Sequence, residues 1–321
     1  MRWSKANGLP APARSYEPGG MAGFNIHSSY GTFALATGSK IAHWDRTELR
    51  LGYAPILIDG QPYVHRLDLL KTIDPLVNRN PIPLRLHTAD SLPTVVIDPG
   101  HGGQNAGTRS VASKHYEKDY TLDWARRLQS ALLDRGWNAL LTRSNDFDLA
   151  LSNRVAFADQ HRADVFISLH FNSALPDNAQ AGLETYCLTP AGLPSTLTRG
   201  FSDERSQSFP NNACDAQNLL LAMSVHEGLL PVCGNHDRGV RRARFLGVLR
   251  NQHCPAILIE GGYLSNPREA RQIDDASFRQ QLADAVANAL DSARGLGRAQ
   301  PARQALNMQR HPDVVLPPES R

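Results

Sequence analysis

Three apolar runs in this chain each end on a side chain able to bind a metal or move a proton: Val95-Val96-Ile97-Asp98-Pro99-Gly100-His101, Val165-Phe166-Ile167-Ser168-Leu169-His170 and Ala256-Ile257-Leu258-Ile259-Glu260. A fourth such residue, Glu117, opens an amphipathic stretch. Two neutral imidazoles and one carboxylate make a three-ligand zinc set that leaves the fourth position for water, the pattern of catalytic rather than structural zinc. On this reading the ligands are His101, Glu117 and His170, spaced 16 and 53 residues apart, and Glu260 is the general base. Water on zinc is already acidified, so a neighbouring carboxylate of ordinary pKa can take its proton and later protonate a leaving amine. Asp98 is expected to back a ligand imidazole. The same two histidines and carboxylate also describe a non-haem iron oxygenase triad, although that chemistry needs no base such as Glu260.

The elements that must position these groups are legible in the hydrophobic pattern. Short, non-alternating runs rich in β-branched residues, bounded by Gly, Pro and polar residues, read as strands buried on both faces of a parallel sheet. Between them, Glu117 to Arg135 carries Tyr120, Trp124, Leu128 and Leu132 at four-residue spacing, with Gly136 placed to end a helix. Further helices are predicted over Ser152–Ala163, with Ser152 as N-cap, over Ala213–Leu230, and over Ser277–Ala293 with Gly295 just past its end. The fold class is therefore α/β, a mostly parallel sheet flanked by helices. Ligands in such sheets collect at the carboxyl ends of the strands, where His101, His170 and Glu260 fall.

Six segments in order resemble the zinc-dependent N-acetylmuramoyl-L-alanine amidases of bacterial cell walls, with an amidase type 3 catalytic domain. They are Pro99-Gly100-His101-Gly102-Gly103, Glu117-Lys118-Asp119, Leu141-Thr142-Arg143, Ser168-Leu169-His170-Phe171-Asn172, Asp237-Arg238-Gly239-Val240 and Glu260-Gly261-Gly262-Tyr263-Leu264-Ser265-Asn266. The resemblance runs from about Thr94 to Ala293. It implies cleavage of the amide between the lactyl group of N-acetylmuramic acid and L-alanine of the stem peptide, with one Zn2+ on His101, Glu117 and His170 and catalysis by Glu260. Asn172, Arg238, Arg143 and Glu184 sit at family-like positions near the cleft and are candidate substrate contacts. In some members an inserted helix covers the zinc until a partner removes it. The Leu175–Gly234 stretch has ordinary family length, so no inhibitory insert is expected, and any activator protein is unknown.

Plainer readings stand beside these. Glu117 would complement a helix dipole without any metal, and an ionisable group ending an apolar strand can be buried if some other partner satisfies it. A non-catalytic wall-binding protein that retains the fold is the corresponding alternative function. Arg143 and Arg238 equally suit salt bridges, and a sheet-edge carboxylate is the simpler account of Glu184. His115, His226, His236 and His253 are assigned to structural or surface roles.

The chain has 321 residues, 34 basic against 31 acidic, for a net charge of +3, too balanced to imply a nucleic-acid partner. No stretch approaches the roughly 18 apolar residues of a membrane span, so a soluble protein acting on peptidoglycan or muropeptides is expected. Murein lies in the cell envelope, yet Met1–Gly20 lacks the apolar core of a secretory signal; either a signal has been removed or export takes another route. Cys187, Cys214, Cys233 and Cys254 show no C-x-x-C spacing, which argues against a structural zinc cluster; of disulfides in an oxidising compartment, with three pairings open, and reduced core thiols, thiols are expected. Four regions are drawn: a flexible segment at 1–20, a small α+β accessory domain at 21–92, the amidase domain at 93–294 and a mobile tail at 295–321. The accessory region contains Phe33–Ala36, Ile41–Trp44, Glu48–Leu51 and Ile56–Ile58, an Asp59-Gly60 hairpin turn into Gln61–Val64, and a short helix over Leu67–Leu76. It resembles the stalk domains related to the amino-terminal domain of copper amine oxidases. Pro81, Pro83 and Pro93 punctuate the join, so a chain starting near Ser91 is expected to fold alone.

Overall fold

The computed structural model describes residues 2–16, 21–78, 92–234 and 236–298. Its strands are β1 (Ala13–Tyr16), β2 (Ala22–His27), β3 (Thr32–Ala36), β4 (Ile41–Trp44), β5 (Thr47–Arg50), β6 (Ile56–Ile58), β7 (Gln61–Tyr63), β8 (Thr94–Pro99), β9 (Asn138–Leu141), β10 (Val165–Asn172), β11 (Leu183–Cys187), β12 (Asp237–Arg242) and β13 (Ala256–Tyr263). Eleven of them form one sheet in the order β1-β2-β3-β4-β5-β12-β11-β13-β10-β8-β9, and β6 and β7 form a separate hairpin. From β9 to β13 the pairing is parallel; β11 and β12 are parallel to each other but run against β13.

The three apolar runs explain that core. Every residue of β8 and of β13 is buried, as is all of β10 except the half-buried His170. Strands covered on both faces tolerate no alternation, which is why these read as continuous hydrophobic runs.

Short helices α1 (Arg2–Ala6), α2 (Arg66–Asp68) and α3 (Asp74–Val77) belong to the amino-terminal part, the last two joined by a π-helical turn at Leu69–Ile73. The helices that flank the parallel strands are α4 (Glu117–Leu133), α5 (Leu151–Gln160), α6 (Asp215–Leu229), α7 (Gly247–Arg250), α8 (Pro267–Asp274) and α9 (Ala276–Arg298). On one face α4 and α6 pack against α9, and on the other α5 packs against α7. The buried stripe of α4 is Tyr120, Trp124, Leu128 and Leu132, as its spacing predicts. Full burial of each such side chain stabilises the fold by about 1.5–3 kcal/mol.

Several expectations are corrected. Residues Arg2–Ala6 and Ala13–Tyr16, placed in a flexible segment, form α1 and β1, and β1 pairs along its whole length with β2. The helix drawn from Ser152 starts at Leu151, with Ala150 rather than Ser152 at the N-cap position, because the hydroxyl makes no capping bond there. Gly295 does not end α9, which continues to Arg298. Pro81 and Pro83 and the tail beyond Arg298 lie outside the described residues. The hairpin turn is as read: Asp59 and Gly60 both have positive φ, 49° and 72°, the requirement of a two-residue turn that Asp-Gly meets.

The amino-terminal strands are not set apart from the rest. β5 pairs with β12 through Leu49 and Val240, and one hydrophobic cluster includes Phe33, Trp44 and Leu49 together with Trp124, Leu221 and Val286. Buried Arg242 on β12 donates to Thr72 Oγ1 at 2.7 Å and to Lys71 O at 2.6 Å. Short strands with exposed edges gain by joining a larger sheet, and this one continues without a break.

Candidate metal centre

The carboxyl ends of β8, β10 and β13 lie side by side, since β10 pairs in parallel with both of the others. His101 follows β8 by two residues, His170 stands on β10, and Glu260 on β13 is the direct register partner of His170. Glu117 reaches the same place from the first turn of α4.

The geometry is that of converging donors. His101 Nε2 and His170 Nδ1 are each 3.0 Å from Glu117 Oε1, and one ligand atom from each residue lies within 4.8 Å of the other two. Main-chain amides fix the carboxylate: Phe171 N donates to Oε1 and Thr108 N to Oε2, both at 3.1 Å. Burial alone would raise the Glu117 pKa, but the bonds to His101 and His170 prevail and hold it at about 2. The reverse is seen at His101, where burial favours the neutral ring and the Glu117 contact outweighs it to raise the pKa.

Close approach around these ligands requires glycine at two places. A β-carbon on Gly107, whose φ is +67°, would stand 2.6 Å from Glu117 Oε2 and 2.8 Å from His101 Cδ2. One on Gly100 would fall 2.3 Å from His170 Cε1.

Asn105 was not anticipated. Its Oδ1 lies 2.9 Å from His101 Nδ1, so that ring nitrogen carries the proton and Nε2 keeps its lone pair for a cation. No periodicity marks Asn105 in the sequence, because it acts from a loop.

Asp98, expected behind an imidazole, bonds elsewhere. It accepts from Thr142 Oγ1 and Arg154 Nη1 at 2.6 Å and from Ser168 Oγ at 2.7 Å. Arg154, also unanticipated, ties this carboxylate to the loop by donating to Pro99 O and His101 O, both at 2.8 Å.

The expected substrate contacts divide by burial. Arg143 is 1% exposed, and its guanidinium donates to Pro99 O (3.0 Å), Gly100 O (2.8 Å) and Lys118 O (2.9 Å). Burial and the charge of Arg154 push its pKa down to about 10. It clamps the histidine loop to the start of α4 and has no donor face turned to a ligand. Glu184 is 3% exposed and accepts from Arg238 Nε (2.9 Å), Asn172 Nδ2 (3.0 Å) and Tyr186 Oη (2.6 Å). Asn172 and Arg238 therefore satisfy Glu184 beside the His-Glu-His cluster.

Glu260 has no such company. Its Oε2 is buried without a hydrogen-bond partner, and burial, reinforced by the negative charges of Glu117 and Glu184, raises its pKa well above the ordinary carboxylate range. A buried polar atom left unpaired is costly, and an orphaned carboxylate oxygen beside three converging donors suits a site made to take up a cation, water and substrate.

The remaining histidines are remote from these ligands in role. His226 is fully buried between Thr185 Oγ1 and Asp237 Oδ1, each at 2.9 Å, while His236 is exposed and His115 and His253 pair with Asp119 and Asp159 at the surface. None of the four cysteines is in a disulfide.

Comparison with known proteins agrees with this geometry. Residues 95–292, which contain His101, Glu117, His170 and Glu260, match the family model described as N-acetylmuramoyl-L-alanine amidase. N-acetylmuramoyl-L-alanine amidase AmiA of Escherichia coli (strain K12) is 29% identical, over 77% of this chain and 90% of its own. CwlM of Bacillus licheniformis, of the same description, is 32% identical over 64% of this chain and 70% of its own. The solved catalytic domain of the amidase CwlV from Bacillus (Paenibacillus) polymyxa var. colistinus matches with a TM-score of 0.52 at 31% identity, covering 64% of this chain and 99% of that one. With its sheet, its His-Glu-His cluster and a match over more than half its length, this chain belongs to the N-acetylmuramoyl-L-alanine amidase family.

Proposed function

We propose that this protein hydrolyses the amide between the lactyl group of N-acetylmuramic acid and L-alanine in peptidoglycan or muropeptides, using one zinc ion held by His101, Glu117 and His170. The observation that carries the reading is Glu260, a buried carboxylate with an unpartnered oxygen, aligned with His170 on the adjacent strand. Two imidazole nitrogens and one carboxylate oxygen are the donor set zinc takes in hydrolases. When bound there, zinc supplies Lewis acidity that polarises the scissile carbonyl and acidifies water.

The chain's own residues do the rest. Asn105 keeps the His101 ring in the tautomer that leaves Nε2 free. Glu117, fixed by two main-chain amides, orients both imidazoles towards one point. Glu260 takes a proton from the attacking water and delivers it to the departing L-alanine nitrogen, a transfer suited to a carboxyl whose proton affinity burial has raised. A wall substrate places the protein in the cell envelope, periplasmic or extracellular. Among the described residues no helix is long and apolar enough to cross a membrane.

The test is mass spectrometry of the products from purified sacculi and from a soluble muropeptide, before and after zinc chelation. Release of free stem peptides that begin with L-alanine, abolished by chelation and restored by zinc, is expected. Binding to sacculi without cleavage would favour a non-catalytic wall-binding protein, and activity restored only by ferrous iron and oxygen would favour an oxygenase.

A further inference from the structure

Between β11 and a 3-10 turn at Pro210–Cys214 the chain makes a closed and braced loop. Gly192 N donates to Arg205 O at 2.8 Å, joining its ends. Inside it Asp203 accepts from Ser195 N at 2.8 Å and Ser195 Oγ at 2.6 Å and pairs with the buried guanidinium of Arg244. Thr196 N donates to Arg242 O at 2.9 Å, and Leu197 packs on the apolar cluster that includes Tyr186 and Leu258. Side chains alternate along strands, so this cluster lies on the face that carries Glu184 and Glu260.

The next residues form a tight turn in which Phe201 N donates to Thr198 O at 2.9 Å. Its central pair, Arg199 and Gly200, both have positive φ, 46° and 79°. Glycine and asparagine suit such positions, whereas arginine is strained there, and strain of this kind gathers where a side chain is held for use. The Arg199 guanidinium lies over the Phe245 ring, 5.7 Å from its centroid, and the exposed Phe201 ring stacks on the same ring at 5.5 Å. It is close enough to Glu260, Tyr186 and Tyr263 for its charge to lower the proton affinity of all three. Arg238 and Arg241, by contrast, pair with Glu184. Among the described residues no hydrogen bond or ion pair engages exposed Arg199, so its donors remain available to a ligand.

A muropeptide limits what that can be. The lactyl carboxyl is consumed in the scissile amide, and the N-acetyl and hydroxyl groups of the sugar are neutral, so anionic groups lie only on the peptide side. We infer that Arg199 determines specificity by engaging a carboxylate of the stem peptide beyond the L-alanine, an inference that rests on the amidase reading. An uncommitted guanidinium presents a planar donor fork that matches a carboxylate.

The experiment compares muramoyl-L-alanyl-D-glutamate with its diamide as substrates for wild type, Arg199→Gly and Arg199→Lys. Glycine relieves the positive-φ strain, so the first variant keeps the turn. Taking the ratio of kcat/KM for the two substrates cancels any effect of the lost charge on Glu260. Wild type should prefer the carboxylate substrate about tenfold, through KM. Arg199→Gly should erase that preference, and Arg199→Lys should restore part of it. An unchanged ratio in Arg199→Gly, an equal fall on both substrates, or no preference in wild type would overturn the inference. Failure of wild type to cleave either substrate would instead overturn the amidase reading, and this inference with it.

Discussion

Glu184 and Glu260 stand directly opposite each other across the antiparallel β11–β13 pair. Like charges in that position destabilise a sheet, and the structure resolves the conflict asymmetrically. Glu184 is surrounded by Arg238, Asn172 and Tyr186, while Glu260 Oε2 has no partner. One carboxylate stays satisfied, and the other is left with a raised proton affinity next to the His-Glu-His cluster.

Glu260→Gln keeps shape and polarity but removes the proton acceptor. We expect retained fold and zinc with a loss of about a hundred- to ten-thousand-fold in kcat. Zinc content, melting temperature and amide cleavage should be read on one preparation. Loss of zinc would move Glu260 into the metal shell, and cleavage within a few-fold of wild type would remove it from the chemistry.

Metal affinity should respond in a graded way. His101→Ala or His170→Ala leaves two protein ligands and should abolish stoichiometric zinc together with activity. Asn105→Ala only frees the His101 ring, so zinc should bind about 10–100-fold more weakly. Competition with a chelator of known affinity measures both, and an unaltered zinc affinity in Asn105→Ala would deny it the orienting role.

A chain starting near Ser91 should be far less stable than the intact protein, contrary to the expectation from its prolines. It loses the strand that pairs with Val240, the partners of Arg242 and the Lys71 ammonium that lies 3.1 Å from buried Asp215. A hydrogen bond made by a buried charged group such as Arg242 contributes about 1.5–3 kcal/mol. Denaturant unfolding of the two chains tests this; equal midpoints would show that the amino-terminal strands are dispensable.

Acid sensitivity should trace in part to Asp237. Burial raises its pKa, but bonds from His226 Nε2 and from the amides of Glu48 and Gly239 outweigh that, leaving the carboxyl below its ordinary value. A lowered folded-state pKa gives stability that is present above the unfolded value of about 3.9 and disappears as pH falls through the folded one. Asp237→Asn should therefore destabilise the protein most at neutral pH, the gap from wild type narrowing in acid. A gap independent of pH in urea titrations would rule this out.

The sequence by itself determined the parallel core and the residues of the His-Glu-His cluster. β8, β10 and β13 are apolar at nearly every position because both faces are covered, and each delivers its functional side chain at or just past its carboxyl end, so local pattern and site coincide in His101, His170 and Glu260. The α4 stripe was legible for the same reason, its period recording one buried face. What depended on distant partners was not. Arg143 and Glu184 read as plausible substrate contacts, yet whether a charged side chain faces a ligand or a neighbour is set by residues far away in sequence: Pro99 and Gly100 for the first, Arg238 for the second. Asn105, Arg154 and Arg199 left no periodic trace, since loops and single buried bonds carry none. The union of the amino-terminal strands with β12 rests on one pairing, Leu49 with Val240, and a backbone edge accepts whichever strand the tertiary packing brings to it.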